Sequence, residues 1–192
     1  MAFNGNPAFE IYVKVLKEKY SLTMALETGT HVGTSTVFFT KVFDQVFTMD
    51  INDSFLAQAK VNLKDQSNVK IVRGNTGTEL NKILDDIPKD TKMFIYLDAH
   101  WYDYWPLLDE IRQLATRKDI IYNSVMVVDD VKVPYRDDIP YDSYKGVALS
   151  YDFVKEELDK AFPLGYRIEY FTENPKTRGK LLIFPKQLDY PI

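Results

Sequence analysis

The sequence predicts an α/β protein with a mostly parallel sheet, and three observations support this prediction. Seven short apolar runs recur along the chain, helical patterns separate the first five, and the last two are joined only by a polar segment containing Pro and Gly. Strands that alternate with helices pair in parallel, whereas two strands joined by a turn form an antiparallel hairpin. The predicted strands are residues 22–27, 46–50, 69–72, 93–98, 125–129, 166–171 and 180–184.

Length and composition are those of one ordinary domain spanning residues 1–192. The net charge of -4 gives no electrostatic reason to expect binding to nucleic acid or to an anionic membrane. The chain has no cysteine, which excludes disulfides and thiolate metal sites. It has neither a signal-peptide pattern nor an apolar run long enough to span a membrane. We therefore expect a cytoplasmic protein that is a monomer or a homodimer.

The first element should be a helix that covers the sheet. Apolar residues Phe9, Val13 and Leu16 follow Pro7 at helical spacing. Residues 1–21 are therefore predicted to form an N-terminal helical cover.

A glycine-containing turn follows the first strand. Residues 27–36 read Glu-Thr-Gly-Thr-His-Val-Gly-Thr-Ser-Thr, and Asp50 ends the second strand. Gly29 and Gly33 let the backbone turn sharply and approach a ligand, and an acid that ends the next strand can accept ribose hydroxyls. The glycine spacing is not that of a dinucleotide site, and the acid at the strand exit, Glu27, favours a cationic ligand. A nucleoside cofactor at the sheet edge is indicated, although glycines chosen only for close packing remain the alternative.

This stretch resembles the first motif of the class I S-adenosylmethionine-dependent methyltransferases, in which an acid precedes Gly-x-x-x-Gly and another acid ends the following strand. The resemblance covers residues 22–184 and implies a Rossmann-like, doubly wound, seven-stranded sheet with a C-terminal antiparallel hairpin and helices on both faces. The loop after the third strand corresponds to the family's adenine-contacting loop, although a plain turn is the alternative there. The implied S-adenosylmethionine-binding residues are Glu27, Thr28, Gly29, Thr30, Gly33, Thr34, Ser35, Asp50, Ile51, Asn75, Thr76 and Asp98.

Acidic residues also end the next two strands. The fourth strand ends in Asp98-Ala99-His100 and the fifth in Asp129-Asp130, and the carboxyl ends of parallel strands meet at one edge of the sheet. Three converging carboxylates favour a hard divalent cation, namely Mg²⁺, with Mn²⁺ or Ca²⁺ also suitable. Without a metal, Asp129 or Asp130 would cap the next turn and Asp98 would bind ribose or ammonium groups.

These strand ends resemble those of the metal-dependent sugar O-methyltransferases of the macrocin and aminocoumarin-sugar type. The resemblance implies that Asp98, Asp129 and Asp130 are metal ligands, and that Asp98 and His100 form the catalytic pair. His100 departs from the family pattern, because the general base at that position is an aspartate. A histidine has an unperturbed pKa of about 6.5 and can accept a hydroxyl proton. A purely structural His100, or an iron site made by both histidines and Asp98, are the alternatives.

Aromatic residues follow the fourth strand, and a long irregular segment follows the fifth. We expect Trp101, Tyr102, Tyr104 and Tyr135 to contact the acceptor, because such rings offer flat apolar faces with polar tips. Packing of some of these rings in the core is the alternative. Residues 131–146 are predicted to be a lid, with a plain surface loop as the alternative.

The predicted function is transfer of a methyl group from S-adenosylmethionine to a hydroxyl of a sugar, either a deoxysugar or a glycan, with a divalent metal. One alternative is a metal-independent methyltransferase that acts on a small phenol or amine. The other is a non-catalytic cofactor-binding protein of the same fold.

Overall fold

The computed structural model describes residues 2–3, 5–100, 104–173 and 176–189. The strands are β1 (Met24–Thr28), β2 (Gln45–Asp50), β3 (Val69–Arg73), β4 (Met93–Leu97), β5 (Val125–Val131), β6 (Ser143–Tyr144), β7 (Val147–Ala148), β8 (Tyr166–Phe171) and β9 (Gly179–Pro185). The helices are α1 (Pro7–Tyr20), α2 (Thr34–Val42), α3 (Asp53–Asn62), α4 (Thr76–Glu79), α5 (Asn81–Leu84), α6 (Leu107–Leu114), α7 (Lys118–Ile121), α8 (Tyr151–Ala161) and α9 (Lys186–Asp189).

Seven strands form one sheet in the order β3-β2-β1-β4-β5-β9-β8. The first five pair in parallel, and β9 lies antiparallel to both β5 and β8. The strand order reverses beside β1, which is the switch point where ligands bind in doubly wound sheets. The predicted fold class is confirmed, although β1 begins at Met24, two residues later than expected.

Helix α1 covers one face of the sheet. Asn6 accepts a hydrogen bond from the Phe9 N–H, and Pro7 occupies the first turn, where its missing N–H costs nothing. The helix buries Phe9 and Val13 in an aromatic cluster that includes Phe94 of β4. The predicted N-terminal cover is thus a 14-residue helix packed on the sheet.

The opposite face carries a second core, to which α5, α6, α7 and α8 contribute. Leu80, Ile111 and Val154 are fully buried there against apolar side chains of the sheet. Helices therefore lie on both faces, as predicted. None of the described helices is long and apolar enough to cross a membrane.

The pairing of β5 with β9 is irregular where the site is built. Register shifts between Val128 and Val131, and Asp130 adopts a left-handed backbone with φ of 58°. Such bulges re-aim side chains next to functional sites. The two acids at the end of β5 therefore diverge, and each acquires its own set of partners.

The segment that begins with the last residue of β5 and spans residues 131–149 is called the excursion below. It is more ordered than the predicted irregular segment, because β6 and β7 form a two-stranded antiparallel sheet near its end. Val133 and Ile139 are buried, whereas Tyr135 is fully exposed. Two backbone hydrogen bonds close the base of the excursion, from Lys132 N to Leu149 O at 2.7 Å and from Asp142 N to Asp130 O at 2.9 Å.

Candidate active site

A cavity of about 750 Å³ lies at the carboxyl ends of the parallel strands. Most of the predicted site residues line this cavity: Gly29, Thr30, Thr34, Ser35, Asp50, Ile51, Asn75, Thr76, Asp98, His100, Tyr104, Asp129 and Asp130. Glu27, Thr28, Gly33 and Tyr135 do not line it. Trp101 and Tyr102 lie outside the described residues. The cavity volume is within the usual range for small-molecule sites.

The turn after β1 brings the backbone close to the end of β4. Gly29 has φ of 82°, which is a left-handed conformation that favours glycine. A Cβ built on it would lie 2.6 Å from the carbonyl oxygen of Asp98. Gly29 is therefore required both for the turn and for the contact with β4. Gly33 instead begins α2 and packs against Leu63.

Asp50 is held at the end of β2 by backbone donors. One carboxylate oxygen accepts a hydrogen bond from His31 N at 2.7 Å, and the other accepts one from Asn52 N at 2.8 Å. A carboxylate has about four acceptor positions, so both oxygens keep capacity for ligand hydroxyls. The imidazole of His31 packs edge-on against Phe55, with ring centroids 4.2 Å apart. The backbone of His31 thus orients Asp50, while its ring belongs to the cavity wall.

Glu27 is fully buried beneath the turn rather than exposed to the cavity. One of its oxygens accepts hydrogen bonds from the hydroxyls of Thr36 at 2.5 Å and Thr48 at 2.7 Å, whereas the other has no partner among the described residues. Burial raises the pKa of this carboxyl to about 7, an effect that the hydroxyls of Thr36, Thr48 and Ser35 partly offset. Glu27 therefore links β1 to β2 and α2, and it does not line the cavity. Its placement differs from the predicted direct contact with the cofactor.

The loop after β3 is shaped by a helix cap. The Asn75 side chain accepts a hydrogen bond from Gly77 N at 3.0 Å, and the adjacent Thr76 is nearly buried. Behind this loop, burial raises the pKa of Glu110 to about 8, partly offset by the hydroxyls of Thr76 and Thr28. Neither oxygen of Glu110 has a partner at hydrogen-bonding geometry among the described residues. Glu110 therefore backs the predicted adenine loop as a buried carboxyl that holds its proton more tightly than an exposed one.

Asp98, His100 and Asp130 converge at the other end of the cavity. One ligating atom from each lies within 4.8 Å of the others. Asp98 is open to the cavity on one side but enclosed by protein elsewhere, and desolvation together with Asp129 and Asp130 holds its pKa well above the usual range. Burial and Asp129 also raise the pKa of Asp130 to about 7. One oxygen of Asp130 is buried without a partner among the described residues.

Asp129 was predicted as a metal ligand, but both of its oxygens have protein partners. One oxygen forms an ion pair with Lys180 Nζ at 2.5 Å and also accepts the Asp130 N–H at 2.8 Å. The other accepts a hydrogen bond from the hydroxyl of Tyr96. Lys180 and Tyr96 are both fully buried. Sequence reasoning missed Lys180, because a lysine at the first position of a predicted strand usually lies at the surface.

Asp142 and Arg178 are two further residues that the sequence did not single out. Arg178 lies between Asp130, at 2.8 Å, and Asp142. Asp142 also contacts His100, with Nε2 of the ring 3.2 Å from its Oδ2. Asp142 belongs to the excursion and Arg178 to the segment before β9. No local sequence signal could have placed them beside the strand-end acids.

The aromatic residues predicted to contact the acceptor are dispersed. Tyr104 lines the cavity, but Tyr135 is fully exposed on the excursion and lies outside it. Trp105 stacks on Tyr144 at 5.4 Å and meets Phe153 edge-on at 5.4 Å, so it joins the excursion to α8. Phe3, from the N-terminal segment, supplies an aromatic wall that the sequence did not predict.

Solved structures with this fold include methyltransferases. The O-methyltransferase TomG from Streptomyces achromogenes, in complex with SAM, is 17% identical over 94% of this chain and 80% of its own, with a TM-score of 0.67. The Bacillus cereus O-methyltransferase in complex with SAH is 18% identical over 97% and 84% of the two chains, with a TM-score of 0.64. DesVI from Streptomyces venezuelae is 16% identical over 93% and 91%, with a TM-score of 0.59.

The similarity to these structures establishes a shared fold. No protein-family model matches the sequence. No curated protein matches it significantly either.

Proposed function

We propose that the chain is an S-adenosylmethionine-dependent O-methyltransferase whose acceptor is a hydroxyl group of a sugar, either a deoxysugar or a glycan. The observation that carries this proposal is the continuity of one cavity from Asp50 to the cluster of Asp98, Asp130 and His100. Such a cavity can hold a nucleoside cofactor at one end and a small acceptor at the other. The SAM and SAH complexes among the structures of the same fold support it.

The nucleoside end is formed by residues of β2 and of the loop after β3. Asp50 would accept the ribose hydroxyls, and the half-exposed apolar side chain of Ile51 offers a face for the adenine. Asn75 and Thr76 border the same end. The bound cofactor would supply an activated methyl group on its sulfonium. Asp98, at the junction with the acceptor end, would favour the positive charge of the cofactor.

The carboxylate cluster fits a divalent cation with a ligand set smaller than the sequence predicted. The cluster contains the four carboxyl groups of Asp98, Asp129, Asp130 and Asp142 and the two cations Lys180 and Arg178. If all six groups are ionised, the cluster has a net charge of minus two. Asp98 and Asp130 would hold the cation, because Asp129 is engaged by Lys180 and Tyr96. Mg²⁺ is commonly held by one or two carboxylates plus substrate oxygens and water. The cation would acidify the acceptor hydroxyl.

His100 is proposed as the group that takes the acceptor's proton. Its contact with Asp142 favours the tautomer whose proton is on Nε2, so the lone pair is on Nδ1. Holding the acceptor hydroxyl and the methyl donor in one cavity removes much of the entropic barrier to their reaction. Asp142 would orient the ring, and Arg178 would fix Asp142.

A metal-independent methyltransferase that acts on a small phenol or amine is the second candidate. Lys180 and Arg178 favour it, because they already compensate part of the charge that a metal would otherwise neutralise. Phe3 and Tyr104 would suit a planar phenolic acceptor as well as a sugar.

One assay separates these candidates. Transfer of labelled methyl from S-adenosylmethionine is measured for a panel of sugars and phenols, before and after exhaustive chelation, and again after adding Mg²⁺. We expect turnover with a sugar that chelation abolishes and Mg²⁺ restores. Full turnover after chelation, with no metal found by elemental analysis, would favour the second candidate. Cofactor binding without turnover across the panel would indicate a non-catalytic binding protein.

A further inference from the structure

The hydroxyl of Tyr104 lies directly over Gly77, in the first turn of α4. A Cβ built on Gly77 would overlap this hydroxyl, and it would lie 3.0 Å from Pro106 Cβ and 3.2 Å from Tyr104 Cζ. Gly77 has an ordinary helical position with no positive φ. The backbone therefore does not require glycine at this position. Only the space occupied by Tyr104 requires it.

The same hydroxyl is joined to the predicted adenine loop. Burial raises the pKa of the Tyr104 hydroxyl, and the polar side chain of Asn75 beside it partly offsets this rise. Asn75 Oδ1 accepts from Gly77 N, so the amide nitrogen is the Asn75 group that is able to donate toward Tyr104. Tyr104, Gly77 and Asn75 thus form one connected unit.

Tyr104 also contributes to the wall of the cavity. It is 37% exposed and lines the cavity together with Asn75 and Thr76. Pro106, which also lines the cavity and contacts the Gly77 position, precedes α6. Tyr104 and Pro106 are therefore placed against the first turn of α4 at the nucleoside end. The sequence had assigned Tyr104 to the acceptor.

We propose that Tyr104 is a positioning residue for the adenine nucleoside of the cofactor, and that Gly77 is small in order to seat its hydroxyl. Seated there, Tyr104 holds Asn75 in place and closes the nucleoside end of the cavity. This inference rests on the proposed use of S-adenosylmethionine.

A double-mutant cycle tests the inference. Calorimetry measures the affinity of S-adenosylhomocysteine, and separately of adenosine, for the parent chain, Gly77→Ala, Tyr104→Phe and the double variant. In the parent background, the new methyl group displaces the tyrosine ring, so Gly77→Ala should weaken both ligands tenfold or more. In the Tyr104→Phe background the hydroxyl that the methyl would overlap is gone, and the remaining neighbours at 3.0 and 3.2 Å need to shift by only a few tenths of an ångström. There the same substitution should cost no more than about twofold.

The controls separate this effect from general damage to the fold. Alanine is favourable for an isolated helix, which offsets part of the cost of displacing the tyrosine ring, so Gly77→Ala should remain folded with an unfolding temperature close to that of the parent. Thr78→Ala, at the exposed neighbouring position of α4, should bind both ligands like the parent. In the methyl-transfer assay, Gly77→Ala should raise the KM for S-adenosylmethionine and leave kcat nearly unchanged.

Two results would overturn the inference while leaving the proposed function intact. One is parental affinity in Gly77→Ala. The other is an equal loss of affinity with and without the Tyr104→Phe substitution, because the effect would then not pass through the hydroxyl. If the parent chain binds neither S-adenosylhomocysteine nor adenosine, the proposed function fails as well, and the two failures are thereby distinguished.

Discussion

At the residue scale, acids at or near the ends of neighbouring strands have different environments. Asp50 is held by backbone N–H groups, Glu27 by buried hydroxyls, and Asp129 by a buried ammonium and a phenol. Hydrogen bonds from charged or polar donors favour the ionised form of a carboxyl group, whereas desolvation favours the neutral form. Residue type alone therefore does not fix the chemistry of a strand-end acid.

Replacing Asp50 should weaken cofactor binding. Asp50→Ala removes the ribose acceptor and should cost about 1 to 3 kcal/mol of binding free energy, because ligand hydroxyls are left unpaired. Calorimetry with S-adenosylhomocysteine measures the loss. Asp53→Ala is the control, since Asp53 is exposed and pairs with Arg73. Unchanged affinity in folded Asp50→Ala would contradict the assigned role.

Replacing Glu27 should change how stability depends on pH. Its pKa is about 7 in the folded protein and about 4.5 when unfolded, so the folded state holds the proton more tightly. The stability this contributes is present below the unfolded pKa and is lost as pH rises through the folded pKa. Relative to Glu27→Gln, the parent should lose about 3 kcal/mol of unfolding free energy between pH 4.5 and 8. A constant difference in unfolding free energy between the two proteins across that range would show that the pKa of Glu27 is the same in the folded and unfolded states.

Replacing His100 should affect the rate more than cofactor binding. His100→Ala should lower methyl transfer by roughly 10² to 10⁴-fold, the range for loss of a general base. His100→Asp should recover part of the loss, and it should keep its rate to lower pH than the parent, because a carboxylate in general gains its proton at lower pH than an imidazole does. Parental turnover in His100→Ala, with an unchanged pH profile, would assign the histidine a structural role.

At the element scale, the excursion connects the site to the rest of the molecule. Asp142 contacts both His100 and Arg178, and Tyr144 stacks on Trp105. Its tip, by contrast, carries the fully exposed Tyr135. Segments with few buried contacts unfold locally at a low cost in free energy. We therefore expect the tip of the excursion to open more often than its base, which is anchored by these contacts.

Ligand binding should protect the excursion from protease. Chymotrypsin should cleave after Tyr135 in the empty protein, and S-adenosylhomocysteine plus the acceptor found in the panel should slow this cleavage as the excursion orders over the site. Tyr135→Ala should lose this cleavage and keep its methyl-transfer activity, because the side chain lies outside the cavity. Equal cleavage rates with and without ligands would indicate a static surface loop.

At the scale of the whole molecule, the sheet topology concentrates negative charge at one edge. β4 and β5 are central neighbours, and the bulge against β9 places Asp130 beside Asp98 while Asp129 turns to Lys180. Like charges at such an edge oppose folding unless protons or cations compensate them. The stability of the whole fold should therefore respond to divalent cations.

Mg²⁺ should raise the unfolding temperature. At a hundred times Kd, a cation that binds only the folded state adds about 2.7 kcal/mol of stability. For a domain of this size, that corresponds to roughly 5 to 10 °C. Asp98→Asn should abolish the rise, and KCl at matched ionic strength is the control for screening. Equal unfolding temperatures of the parent in MgCl₂ and in KCl would favour the metal-independent candidate.

The sequence by itself determined the fold class and the edge of the sheet where the site lies. Apolar periodicity and turn residues act locally, so seven strands could be placed within about two residues of their observed bounds. Gly29, Asp50, Asp98 and His100 follow or end strands directly. Their position at the carboxyl edge therefore follows from the parallel topology alone.

Only the tertiary structure decided what these residues contact. Lys180 is 51 positions from Asp129, and Arg178 is 36 positions from Asp142, so no local pattern joins them. Asp129 and Asp130 were both expected to be metal ligands, but the bulge in β5 directs them to different partners. The extra residue of a bulge changes the direction in which the neighbouring side chains point. Likewise, Tyr104 meets Gly77 only because α4 and the start of α6 pack together. Contacts of this kind depend on how whole elements dock, and the sequence encodes that only through the sum of many weak interactions.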